Sequence, residues 1–252
     1  MRPTALVTGA SDRVGRAVAV EFARRGFEVG VHYRSNEAGA EQTALLCEQA
    51  GGSAWTVRAD LSTIEGCDTV VDQTRKRWSY LHVLVHNASA FAPRPFAGLG
   101  LEEWDMMLGV HARAPFLLTQ GLLTQLIAAD SVAPGAEKGE GGVVVGLVDI
   151  GAERPVPGYT AYSVSKAALA MLVKCLAVEL APRVRAVGVS PGQVAWPPDY
   201  SEAKRRALAE RIPMKRVGTP EDVARLVRFL ALEAPYINGE IIAVDGGLSK
   251  RY

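Results

Sequence analysis

Tyr162 and Lys166 stand four residues apart in Gly158-Tyr159-Thr160-Ala161-Tyr162-Ser163-Val164-Ser165-Lys166, and Asp149 precedes the tyrosine by thirteen residues. A free phenol titrates at about 10, so it needs help to move a proton near neutral pH. On a helix, a lysine one turn away shares the tyrosine's face. Its positive charge favours the phenolate, so the spacing predicts a lowered tyrosine pKa. Such a phenol can exchange a proton with a carbonyl or imine while a hydride moves. A carboxyl at Asp149, if it falls beside the phenol, can hold a substrate group or supply the proton itself.

These side chains need elements to hold them, and the pattern alternates strand and helix from the first residues. Strands are expected at 4–8, 28–33, 53–58, 83–86, 143–149, 184–190 and 241–244. Helices are expected at 16–25, 37–50, 63–78, 101–128, 159–180 and 222–232. The Val-rich run from Val143 reads as a strand buried on both faces. Strands separated by helices imply an α/β fold, a parallel sheet covered on both sides in one domain. The segment 193–212, with two prolines and a charged helix, interrupts the alternation and reads as a substrate flap.

The first strand runs into Thr8-Gly9-Ala10-Ser11-Asp12-Arg13-Val14-Gly15. Glycine at 9 permits a sharp turn and close backbone approach to a ligand. The helix that follows offers free N–H groups to a pyrophosphate. Arg13 stands at the place of a middle glycine, and its guanidinium can fork onto phosphate and reach a reaction cavity. The second strand ends in His32-Tyr33-Arg34-Ser35, where an acidic residue would suit the ribose hydroxyls of NAD. Arg34 and Ser35 suit a 2′-phosphate, so the expected cofactor is NADPH. Asp60, followed by Leu61, can accept from an adenine amino group. Asn87-Ala88-Ser89 follows the fourth strand, where cofactor binds at carboxyl ends.

The net charge of +1 gives no bulk field toward nucleic acid or membrane. Cys47, Cys67 and Cys175 show no metal-ligand spacing and read as reduced thiols packed in helices of a cytoplasmic protein. No signal-peptide core or membrane-length apolar run is expected.

Thr8-Gly9-x5-Gly15, Asn87-Ala88, Tyr162-x3-Lys166, Pro191-Gly192 and Asn238-Gly239…Val244-Asp245-Gly246-Gly247 together resemble the short-chain dehydrogenase/reductase family over the whole chain. The resemblance implies a seven-stranded Rossmann sheet, a nicotinamide cofactor and a homotetramer. It implies that Tyr162 is the acid/base and that Lys166 binds the nicotinamide ribose and depresses the phenol pKa. It also implies that Pro191-Gly192 supports the nicotinamide. The cofactor set is then Gly9, Ser11, Arg13, Val14, Tyr33, Arg34, Ser35, Asp60, Leu61, Asn87, Ala88 and Ser89, with Tyr162, Lys166, Pro191 and Gly192.

Three departures from the family pattern carry information: Asp149 for the usual serine, Arg13 for the middle glycine, and His86-Asn87-Ala88-Ser89-Ala90-Phe91 for Asn-Asn-Ala-Gly. Together they are similar to pteridine and dihydromonapterin reductases. In that reading Phe91 stacks on a pterin, Ser89 and Arg13 bond its polar edge, and Asp149 with Tyr162 protonates a ring nitrogen. The leading expectation is therefore NADPH-dependent reduction of a dihydropterin, with folate analogues as further substrates. The alternatives are a 3-oxoacyl-type or other ketone reductase and a non-catalytic NADP(H)-binding protein. An ionised Asp149 would repel a developing alkoxide, which argues against a ketone. His111 stands where the family has an asparagine in its proton relay. His32, His82 and His86 read as structural.

Overall fold

The computed structural model describes residues 2–133, 135–137, 139–194 and 201–251. Seven parallel strands form one sheet: β1 (Thr4–Val7), β2 (Glu28–Tyr33), β3 (Ser53–Arg58), β4 (Val83–His86), β5 (Val143–Leu147), β6 (Arg185–Pro191) and β7 (Ile241–Val244). Their spatial order is β3-β2-β1-β4-β5-β6-β7. Val7 pairs with Val31 on one side and Val85 on the other, so β1 is central. Connections leave β1 in both directions, and this reversal opens a crevice at the strands' carboxyl ends.

Alternate side chains of each strand enter opposite cores. Ala5 and Val7 join Phe22 of α1 (Arg13–Ala23), Ala40 and Cys47 of α2 (Glu37–Gln49), and Val223 and Val227 of α9 (Pro220–Leu232). Leu6 and Leu84 join Val70 of α3 (Ile64–Arg77), Leu118 of α5 (Ala114–Gly121) and Val173 of α7 (Thr160–Glu179). Both faces are thus covered, as expected for parallel strands with buried apolar runs. Burying each Val, Leu or Phe among them contributes about 1.5–3 kcal/mol, and each Ala less.

The expected helix over 101–128 is divided. It comprises α4 (Leu101–Leu108), a π-turn (Gly109–Arg113), α5 and α6 (Leu123–Ala128). Pro115 has no N–H to donate to the carbonyl of His111 and would clash with it in a regular helix. The ladder instead widens, and the Ala114 N–H bonds the Gly109 carbonyl. The first helix starts at Arg13 rather than 16, and β5 ends at Leu147 rather than 149, which frees Val148 and Asp149 to turn toward the crevice. Cys47 and Cys67 are buried, but Cys175 on α7 is exposed, against expectation. Among the described residues α7 also reaches the length and apolarity of a membrane span, contrary to the sequence reading. Its Leu169, Val173 and Ala177 are buried, and the helix packs on β5 and β6. Part of the expected 193–212 flap, residues 195–200, lies outside the described residues. Beyond it, α8 (Glu202–Arg211) has no buried residue.

Candidate active site

The crevice is a cleft of about 860 Å³ at the carboxyl ends of the strands. Gly9, Ser11, Arg13, Val14, Tyr33, Arg34, Ser35, Asp60, Leu61, Asn87, Ala88, Ser89, Phe91, Asp149, Tyr162, Lys166, Pro191 and Gly192 all line it. Residues from seven separated stretches of sequence thus meet in one cavity.

At one end lies the turn after β1. Gly9 has φ +63°, and a Cβ there would sit 2.8 Å from Ala88 Cα. A Cβ on Gly15 would sit 2.2 Å from the Gly9 carbonyl oxygen and 2.5 Å from Asn87 Nδ2. The turn is therefore packed against the loop after β4 with no room for side chains. Asn87 Nδ2 donates to the Thr8 and Gly9 carbonyls at 2.9 Å, and Thr8 Oγ1 accepts from the N–H groups of Asn87 and Ala88. The Asn87 side chain accordingly stitches β4 to the turn at the wall of the cleft. The Asp12 side chain makes no capping bond at the start of α1, and no acidic residue occupies the first turn of that helix. Arg13 adopts φ +46°, a strained conformation for a bulky residue. Its guanidinium reaches Val194 O at 3.4 Å, across the cleft beyond β6.

His32 is structural, as expected. Its Nδ1 accepts from Gly9 N–H at 3.0 Å, so its Nε2–H donates to Ala59 O at 3.1 Å. One buried imidazole ties the glycine turn to the loop that carries Asp60. Burial pushes its pKa down to about 4, so it stays neutral. Its place one residue before the end of β2, inside an apolar strand, is the signal that marks it. Burial works against ionisation of Asp60. The two bonds it accepts from Ser62, with Arg34 nearby, nonetheless hold its pKa below the usual range.

At the other end Tyr162 donates to Asp149 Oδ2 at 2.9 Å, and Asp149 Oδ1 accepts from Gly151 N–H at 2.6 Å. Lys166 is buried, donates to Leu147 O at 2.7 Å and stands 5.8 Å from the Tyr162 ring centroid. The net shift of the phenol runs opposite to the expected lowering. Burial raises the Tyr162 pKa, and the charge and hydrogen bond of Asp149 raise it further. Helical spacing brings the lysine to the correct face but cannot reveal that its ammonium turns onto a backbone carbonyl. Burial also lowers Lys166 to about 8, with Asp149 pulling the other way. Asp149 itself is raised by burial, against the bonds from Gly151 and Tyr162 and the charge of Lys166.

Phe91 is 64% exposed and stacks on Tyr159 at 4.5 Å, with Tyr162 meeting its ring at 83°. The three rings form one aromatic wall, and Tyr159 is a member the sequence reading missed. Its place three residues before Tyr162, one helical turn away, could have found it. Ser89 Oγ lies 2.9 Å from Nε2 of His111, which the π-turn carries, instead of standing free.

A family profile described as Enoyl-(Acyl carrier protein) reductase matches residues 9–249. The 3beta-hydroxysteroid dehydrogenase 1 of Eggerthella lenta is 34% identical over 252 residues, covering 98% of this chain and 93% of that one. Pteridine reductase 1 of Leishmania tarentolae is 33% identical, covering 98% of this chain and 96% of its own. Among solved structures, acetoin dehydrogenase from Enterobacter cloacae superposes with a TM-score of 0.88 at 30% identity, covering 100% of this chain and 97% of that one. The names of these relatives point to different substrates, a hydroxysteroid, a pteridine and acetoin, so they do not single out the pterin. The match over nearly the full length, together with the Tyr162–Lys166 pair at the mouth of a doubly wound sheet, means that this chain belongs to the short-chain dehydrogenase/reductase family.

Proposed function

We propose that this protein is an NADPH-dependent reductase of a small carbonyl compound, with Tyr162 as the proton donor. The single observation that carries the reading is the Tyr162 hydroxyl, bonded to Asp149 inside the same cleft as the glycine turn. The turn fits a dinucleotide, because any side chain at Gly9 or Gly15 would fill the cradle. Arg34 and Ser35 at the end of β2 would take the 2′-phosphate, and Lys166 with Asn87–Ser89 would flank the nicotinamide half. When bound, the cofactor supplies hydride. The chain's own part is to orient the substrate and give a proton to the oxygen that gains charge.

The raised phenol pKa keeps Tyr162 in its proton-bearing form, ready to give that proton to a developing alkoxide of comparable basicity. The Tyr162 hydroxyl, bonded to Asp149, stands between that carboxyl and the position of a substrate oxygen it would protonate. The hydroxysteroid and acetoin enzymes among the relatives also support carbonyl chemistry. The homotetramer expected from the family is compatible with the exposed Phe116, Met171 and Val178 on α5 and α7.

Pterin reduction is the second reading. The observation that favours it is a carboxyl in direct contact with the phenol, which suits a ring nitrogen that must be protonated. The aromatic wall of Phe91 and Tyr159 and the 33% identical pteridine reductase add to it. Nicotinamide absorbance with acetoin, a cyclic ketone, an acetoacetyl thioester, dihydrobiopterin and dihydrofolate separates the two. Turnover of a ketone or thioester supports the first reading. Turnover of the pterins alone replaces it with the second.

A further inference from the structure

We propose that Arg154 is a specificity-determining residue that binds the carboxylate of a keto acid substrate at the rim of the cleft. This rests on the reductase reading. The cation is placed by the same turn that aims Asp149. Asp149 Oδ1 accepts from Gly151 N–H at 2.6 Å, Ala152 N–H donates to the Asp149 carbonyl at 3.0 Å, and Arg154 N–H donates to the Ile150 carbonyl at 2.9 Å. The chain is wound tightly from the proton site to Arg154, which is exposed and lines the cleft together with Asp149 and Tyr162. Arg154 stands on the loop after β5. The loops after β1, β2 and β3 bring the glycine turn, Arg34 and Asp60 to the dinucleotide end. The cofactor's phosphates thus have groups of their own, and Arg154 belongs to the substrate's side.

Among the described residues no carboxylate pairs with this guanidinium. Asp149 is bonded to Tyr162 and Gly151, and Asp60 to Ser62, while Asp12 stands at the start of α1. The acceptor that Arg154 meets is neutral: Nη1 donates to the Arg251 carbonyl at 2.5 Å. That bond leaves the Nε–Nη2 edge, which donates to no described residue. This edge is the one that meets a carboxylate with two parallel N–H···O bonds. One fork and one positive charge match a carboxylate, whereas a phosphate dianion needs a second cation for balance. The neighbouring lining is apolar, with Val156 on the same loop and Phe91 stacked on Tyr159. The substrate that fits is a carbonyl compound with an apolar body and one carboxylate.

The test compares two keto acids, levulinate and an acetylbenzoate, with their methyl esters in NADPH oxidation at low ionic strength. The quantity read is the ratio of kcat/KM for acid to that for ester, in which general damage to the protein cancels. In the wild type the acids should be preferred by about tenfold, the worth of a hydrogen bond to a charged group at a solvated rim. Arg154→Gln should bring the ratio near unity, Arg154→Glu should invert it, and Arg154→Lys should keep part of it. Added salt should erode the wild-type preference. The proposal is overturned if the wild type prefers the esters, or if Arg154→Gln leaves the ratio where it was. Calorimetric binding of the same acids and esters to the protein saturated with NADP+ reads the preference without turnover. Acids bound more tightly than esters, with the difference lost in Arg154→Gln and no turnover of either, would defeat the reductase reading and leave the carboxylate site standing. Equal binding of acids and esters, or no binding of the acids, would overturn the site itself.

Discussion

Tyr162 and Asp149 show how far residue types alone can be read. Their spacing is visible in the chain, and so is the presence of a carboxyl where a hydroxyl is usual. The sign of the tyrosine's pKa shift is not, because it depends on burial and on a bond across thirteen residues of chain. The same applies to Ser89, whose partner His111 arrives from another helix. The charge at Arg34 is legible, since it sits at the end of β2 beside the cleft. Replacing Arg34 with Ala should weaken NADPH binding roughly tenfold or more, the worth of a hydrogen bond to a charged group. NADH binding should hardly change. Fluorescence titration of both cofactors checks this, and equal losses for the two would show that Arg34 does not read the 2′-phosphate. Asp149→Asn removes the charge that raises the phenol pKa, so reductive activity should fall off at lower pH than in the wild type. A pH–rate profile that does not move would separate Asp149 from the titration of Tyr162.

Strands are legible at the scale of elements because parallel strands buried on both faces read as unbroken Val- and Ala-rich runs. All seven emerge within a few residues of expectation. The interruption at 109–113 is not read, although its cause, Pro115, is plain in the sequence. Apolar periodicity carries through a single π-turn, so the pattern alone does not reveal the shift in phase. That shift is what turns His111 inward toward Ser89 and Ser165. The glycine turn is the opposite case. Gly15 is legible as a packing position, and the geometry states why: an added Cβ would lie 2.2 Å from backbone oxygen. Gly15→Ala should therefore force the turn apart, weaken NADPH at least about tenfold and destabilise the fold by about 1–3 kcal/mol. Calorimetry and cofactor titration measure both. An unchanged melting temperature with unchanged affinity would mean the turn has slack that the packing does not suggest.

Across the whole molecule the sheet collects side chains from distant parts of the sequence and holds several polar groups dry. His32, His86 and His111 are buried, and burial lowers them to about 4, about 3 and about 2. In the unfolded chain each would take a proton below about 6.5. From that pH down to about 4 the unfolded state binds more protons, so stability falls on acidification. Each histidine contributes about 1.4 kcal/mol per pH unit in that window. The denaturation midpoint should be clearly lower at pH 5 than at pH 7, and equal midpoints would contradict the neutral, buried assignment. The molecule's chemistry comes to the cleft where the Tyr162 hydroxyl meets Asp149. The most direct test compares NADPH oxidation by wild type and Tyr162→Phe across the same carbonyl panel, with NADPH affinity measured in parallel. Loss of turnover by about 100-fold or more with affinity preserved is the predicted result. Turnover that survives the loss of this hydroxyl would contradict the assignment of Tyr162 as proton donor.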